Sequence, residues 1–161
     1  MTRKGIVVRE DLCSGCRACQ VACVASHEGL FGVYTSRIRV VKDEPLGVDE
    51  PQVCRLCGKA PCVAACPRGA LYRDEATSAV LLLSERCDGC LSCVPACPFG
   101  MVSIHPTTGL PLICDLCRGQ PACVERCPTG AISYGDRWLD AQGPPAMRFV
   151  KPFRSRIDGG S

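Results

Sequence analysis

The stretch Cys87-Asp88-Gly89-Cys90-Leu91-Ser92-Cys93-Val94-Pro95-Ala96-Cys97-Pro98 sets four cysteines at C-x2-C-x2-C-x3-C spacing and follows the last with proline. Three thiolates so close together can wrap three corners of one iron–sulfur cubane, which leaves the fourth corner to a cysteine from elsewhere. Working outward, the same pattern recurs three times. Cys13-Cys16-Cys19-Cys23 has identical spacing, while Cys54-Cys57-Cys62-Cys66 and Cys114-Cys117-Cys123-Cys127 widen the middle gap to four and five residues. All sixteen cysteines of the 161-residue chain lie in these quartets. Pro67, Pro98 and Pro128 follow three of them, and Val24 takes that place after the first.

Cysteine at roughly a tenth of the residues means either a disulfide scaffold or metal binding, and the compartment separates the two. Met1-Thr2-Arg3-Lys4-Gly5 leads into no apolar stretch of signal-peptide length, and the longest aliphatic run, Ala79 to Leu83, is too short to cross a bilayer. The expected setting is cytoplasmic, without membrane insertion, and eight disulfides do not persist there. Zinc is the competing metal, but it favours isolated C-x2-C pairs, whereas every pair here has a third cysteine close by and three quartets end in Cys-Pro. The C-x3-C-x2-C order of enzymes that open S-adenosylmethionine is absent, because its third position falls on Ser26, Gly69, Gly100 and Gly130. With every iron held by protein, no coordination site is left for a substrate. The expected cofactors are four 4Fe–4S clusters, and the expected role is electron transfer without catalysis on this chain.

The formal charge of +3 counts each cysteine as neutral. Deprotonating sixteen ligands takes it to about −13, and four oxidised cores near +2 each bring the loaded protein to roughly −5. Arg17, Arg55, Lys59, Arg68, Arg86, Arg118 and Arg126 beside the motifs then offset cluster charge locally, which raises reduction potentials. The basic residues are dispersed among the cysteines, so no nucleic-acid partner is expected.

Short strands are predicted over Gly5–Val8, Arg37–Val41, Ala79–Leu83, Met101–Ile104 and Ala131–Tyr134, with turns at Arg68-Gly69 and Thr129-Gly130 and only short helices between cysteines. Aromatic residues make up 5% of the chain, too few for an ordinary core, so clusters must substitute and the metal-free chain is expected to be unfolded or molten.

At these quartets, notably Cys13-Ser14-Gly15-Cys16-Arg17-Ala18-Cys19 and the third motif quoted above, the chain resembles the iron–sulfur subunits of molybdopterin and tungstopterin oxidoreductases. Those of dimethyl sulfoxide reductase and formate dehydrogenase are examples, and carbon-monoxide-dehydrogenase-associated ferredoxins and formate hydrogenlyase small subunits look like the same group. The resemblance runs from Gly5 to about Tyr134 and implies a small α+β fold of two dicluster ferredoxin units, one inserted in the other. Residues 1–45 and 105–135 would form the outer half, 46–104 the inserted half, and 136–161 a partner-binding tail. It implies one cluster on Cys13, Cys16, Cys19 and Cys127 and a second on Cys23, Cys114, Cys117 and Cys123. A third would take Cys54, Cys57, Cys62 and Cys97, and the fourth Cys66, Cys87, Cys90 and Cys93. Sequential pairing of motif I with II and III with IV is the alternative. The compact form looks most like the small polyferredoxin subunits that accompany tungsten aldehyde oxidoreductases or carbon monoxide dehydrogenases.

The implied partners are a larger oxidoreductase subunit with a tungsten or molybdenum pterin, or a nickel–iron centre, and a second donor or acceptor such as a flavin subunit or a ferredoxin. End-to-end self-association into a filament is compatible with this, and a free diffusible polyferredoxin is the other reading. Oxygen-sensitive clusters point to anaerobic metabolism. His27 and His105 read as surface or capping residues and Trp138 as a packing or partner-facing aromatic. Met147, Phe149 and Phe153 among Arg148, Lys151, Arg154 and Arg156 give the tail its partner-binding reading.

Overall fold

The computed structural model describes residues 4–136. Trp138 and the expected tail beyond Asp136 lie outside the described residues. Strands β1 (Lys4–Val8), β2 (Arg39–Asp43), β3 (Val48–Gln52), β4 (Leu71–Arg73), β5 (Val80–Leu82), β6 (Ser103–Ile104), β7 (Pro111–Leu112) and β8 (Ile132–Asp136) alternate with helices α1 (Ala18–Glu28), α2 (Pro61–Ala64), α3 (Cys93–Ala96) and α4 (Ala122–Glu125). The strands form four separate antiparallel ribbons: β1 with β8, β2 with β3, β4 with β5, and β6 with β7. In the first ribbon Lys4 faces Asp136 and Val8 faces Ile132, so the two ends of the described chain close on everything between them.

The protein is thus a few short helices and small strand pairs, as the cysteine spacing demands. A backbone that returns to a metal every few residues has no room for long elements. Helix α1 is the exception, and it is longer than expected because nothing after Cys23 stops it until Gly29 caps it in the left-handed region, with φ +66°. Cys19, Gln20, Cys23 and Val24 form its buried face. Gln20 Oε1 accepts the Val40 N–H at 3.1 Å, which ties this helix to β2.

Strands β3, β4 and β7 were not expected. Val48-Asp49-Glu50-Pro51-Gln52 carries two acids and a proline, and β7 begins at Pro111, so neither has a strand-like sequence. They pair because hairpins bring them to a partner, and two of those hairpins, β2–β3 and β6–β7, straddle the 45/46 and 104/105 positions suggested as half boundaries.

Two buried clusters fill the interior. One joins Ile6, Ile38, Val40, Val53, Leu56, Leu116 and Ile132 to Cys19, Cys23 and Cys123. The other joins Leu71, Val80, Val102 and Ile113 to Cys62 and Cys93. Cysteines are members of both, so the apolar packing and the expected metal ligands are one structure. Among the described residues no helix is long and apolar enough to cross a membrane.

The second residue after the first cysteine of each motif is left-handed: Gly15 at φ +63°, Leu56 at +45°, Gly89 at +72° and Leu116 at +56°. The first and third motifs meet this with glycine. A Cβ at Gly15 would also run into the Asp49 carboxylate. Gly15→Ala therefore adds about 1–2 kcal/mol of backbone strain to a steric clash. The expected result is bleaching of the loaded protein at lower guanidinium concentration, and an unchanged midpoint would refute it.

Candidate metal centres

Four surface-connected pockets hold the cysteines, each four at a time, with spaces of about 290 to 390 Å3 including open solvent. Cys13, Cys16, Cys19 and Cys127 line one, closed by Val40 and Pro128. Cys23, Cys114, Cys117 and Cys123 line the second, beside His27 and Asp115. Cys54, Cys57, Cys62 and Cys97 line the third, under Phe99. Cys66, Cys87, Cys90 and Cys93 line the fourth. In every pocket three thiols come from one motif and one from the terminal cysteine of another. Such a donor set, four thiols from two segments against apolar walls, fits a 4Fe–4S cluster.

The electrostatics separate several of the buried thiols from three of the terminal ones. Burial, reinforced by neighbouring thiols, pushes Cys19, Cys54 and Cys93 up to about 11 and Cys123 to about 12, and it holds Cys114 well above its usual value. These groups stay protonated in the metal-free fold, so loading iron must expel their protons. Cys23, Cys66 and Cys127, each the last cysteine of its motif, behave differently. Burial raises Cys66 too, but N–H groups of Leu71, Ala70, Arg68 and Gly69 outweigh it and lower the thiol. Burial raises Cys127 as well, but the Ile132 N–H, the Thr129 hydroxyl and the Thr129 and Ala131 N–H groups outweigh it and lower the thiol. The Ala70 N–H lies 3.2 Å from Cys66 Sγ, Met101 N–H 3.3 Å from Cys97 Sγ, and Arg37 N–H 3.3 Å from Cys23 Sγ. Such donors stabilise thiolate and raise the potential of a cluster bound to it. Two of these amides, those of Ala70 and Met101, lie in the turns that follow Cys66-Pro67 and Cys97-Pro98.

Three thiol pairs link neighbouring pockets. The Cys123 thiol interacts with Cys19, the Cys114 thiol with Cys54, and the Cys93 thiol with Cys62. The pockets therefore form a series with the Cys13 and Cys66 pockets at its ends. The two exposed cysteines, Cys16 and Cys90, sit one in each terminal pocket.

His27 does more than cap. Its Nδ1 lies 2.8 Å from the Cys23 carbonyl and its Nε2 lies 3.0 Å from Asp115 Oδ1. Both nitrogens face acceptors, an arrangement that favours the doubly protonated ring. The hydrogen bond to Asp115 holds His27 well above its usual value. Burial would raise Asp115, but the His27 hydrogen bond and the Cys117 N–H overcome it and hold the carboxyl low. His105 fits the capping expectation, its Nδ1 accepting from the Thr107 and Thr108 amides at 3.1 and 3.2 Å. Asp88 and Asp115 escaped the sequence reading. Each accepts the amide of the next cysteine, Cys90 at 3.1 Å and Cys117 at 3.0 Å, and the shared Cys-Asp-x-Cys phrase was the signal for them.

Small antiparallel ribbons, four-residue helices and cysteine quartets on their connecting turns define a ferredoxin-like iron–sulfur protein. Residues 48–137 match the 4Fe-4S dicluster domain family and residues 10–24 a 4Fe-4S binding domain. The chain belongs to the 4Fe-4S dicluster domain family. Among its relatives, the aliphatic sulfonate oxidoreductase polyferredoxin-like subunit of Pyrococcus furiosus is 47% identical over 93 residues, 58% of this chain and 53% of that one. Protein NrfC of Escherichia coli K12 is 40% identical over 114 residues, 66% of this chain and 50% of that protein. The chain thus spans about half the length of these curated relatives. Among solved structures, a chain of the active site complex BamBC of benzoyl coenzyme A reductase with benzoyl-CoA superposes with a TM-score of 0.51 at 26% identity, covering 90% of this chain and 93% of that one.

Proposed function

We propose that the chain is an electron-transfer subunit carrying four 4Fe–4S clusters between a larger catalytic subunit and a second redox partner. The observation that carries the reading is the sorting of sixteen cysteines into four pockets of four, with none left over. Each pocket would hold one cluster on its own four cysteines. The nested arrangement of two ferredoxin-like halves, with motif I sharing clusters with IV and motif II with III, is supported by the β1–β8 ribbon. When bound, each cluster supplies reversible one-electron storage.

The chain's own residues hold the thiolates, aim amide N–H groups at the terminal sulfurs and keep water from the buried ligands. Cys16 and Cys90 bring the ends of the series to the surface, where electrons enter and leave. Leu30, Phe31 and Tyr34, just past α1, are 66%, 91% and 92% exposed, and this apolar edge favours a fixed subunit over a free polyferredoxin. Relatives named as a sulfonate oxidoreductase subunit and as part of an active site complex support a large catalytic partner. On the resemblance read from the motifs, we assign that partner a tungsten or molybdenum pterin or a nickel–iron centre. The second partner would be a flavin subunit or a ferredoxin, and the setting the reducing cytoplasm.

Anaerobic purification under mild conditions, followed by metal analysis and absorbance, tests this. About sixteen irons per chain with a reducible brown chromophore is the expected result. Zinc near four per chain without colour would overturn it.

A further inference from the structure

Beside the second pocket lies the longest run of left-handed non-glycine residues among the described residues. Leu116, Cys117 and Arg118 are successive non-glycine residues at φ +56°, +46° and +56°. Each such residue costs about 1–2 kcal/mol and persists only where its surroundings over-determine it. Burial of Leu116, 2% exposed, supplies part of that constraint. The third motif needs less, because Gly89 occupies the equivalent position, and Asp88, which also accepts its next cysteine's amide, has the exposed Arg68 at 3.4 Å on its other oxygen where Asp115 has the part-buried His27.

The rest of the constraint comes from across the fold. Asp115 Oδ1 receives both the Cys117 N–H and the His27 Nε2 proton, each at 3.0 Å. His27 in turn is tied at Nδ1 to the carbonyl of Cys23, the ligand that α1 contributes to the same pocket. His27, Asp115 and Cys117 place their ligand-type atoms within 4.8 Å of one another. One side-chain pair therefore touches the backbone of the first-motif ligand and of the fourth-motif ligand.

We infer that His27 and Asp115 are positioning residues that clamp Cys117 in its left-handed turn and lock Cys23 to it, so that the two segments present one cluster site. The clamp acts on the pocket of Cys23, Cys114, Cys117 and Cys123 alone. It rests on the four-cluster reading, and the two are separable by experiment.

The test uses full-length protein, purified anaerobically with any bound partner, and reads iron content and a potentiometric titration followed by electron paramagnetic resonance. Wild-type protein with about sixteen irons secures the underlying reading, and a lower count would sink that reading rather than the clamp. Asp115→Ala and His27→Ala are each expected to lose one to four irons and to lose or shift one reduction step, leaving the other three in place. Asp115→Asn can still accept the Cys117 amide, and its NH2 can donate to a neutral His27 ring, so it is expected to recover most of the iron. Two results would overturn the clamp. One is alanine variants that keep about sixteen irons and four unchanged steps. The other is alanine variants that lose all clusters together, since that marks a general folding role.

Discussion

Replacing Cys127 with serine is expected to disable the cluster of the first motif, not that of the fourth motif in which Cys127 lies. The β1–β8 ribbon brings the turn after α4 beside the loop before α1, and Cys127 lines the pocket of Cys13, Cys16 and Cys19. Burial and the Cys127 thiol both raise Cys13 and Cys19. A double-substitution comparison makes the test decisive, because two ligands of one cluster do not add whereas ligands of two clusters do. Cys13→Ser/Cys127→Ser should lose one cluster, leaving about twelve irons, while Cys114→Ser/Cys127→Ser should lose two, leaving about eight. The reverse order of iron contents would show that the motifs keep their own terminal cysteines and would dismantle the nested arrangement. The same comparison with Cys66 predicts one loss with Cys87 and two with Cys54.

Stripping the iron with a chelator under anaerobic conditions should cost most of the fold's stability. The ribbons are two-stranded, with strands of two to five residues, and isolated ribbons of that kind are marginal in water. Three of the four helices are four residues long, far below the length at which a helix stands alone. Both apolar clusters count cysteines among their buried members. Ligation therefore supplies the order that packing supplies elsewhere, and the loss should be comparable with an entire domain stability, on the order of 5–15 kcal/mol. Circular dichroism should show loss of the fixed tertiary signal, with strong binding of a hydrophobic dye. A metal-free protein with a sharp cooperative melt and dispersed amide resonances would refute this.

The fold was legible in the sequence where the metal chemistry repeats. Every strand expected from aliphatic runs has a counterpart, though the boundaries shift: Arg37–Val41 is realised as Arg39–Asp43, and Met101–Ile104 shrinks to Ser103–Ile104. The strands that escaped notice, Val48–Gln52, Leu71–Arg73 and Pro111–Leu112, are short, charged or proline-containing, and take their conformation from the strand opposite. Helix α1 ran on because a helix ends where its cap falls, here at Gly29, and not where its last ligand falls.

At the site, the sequence by itself pointed to the sixteen cysteines as the expected ligands and to iron–sulfur clusters as the expected cofactor, because a cubane demands thiolates at close spacing and the spacing is written in the chain. The His27–Asp115 contact was not legible, since it joins residues 88 positions apart through a turn whose left-handed course no propensity foretells. Spacing left open which terminal cysteine visits which pocket, the family resemblance implied the sets that the pockets bring together, and only the tertiary structure decided which amides point at which sulfur and which two pockets hold an exposed cysteine. Each of those depends on chain segments closing over long loops, and spacing within a motif carries no information about the direction of a segment that arrives from the other half of the fold.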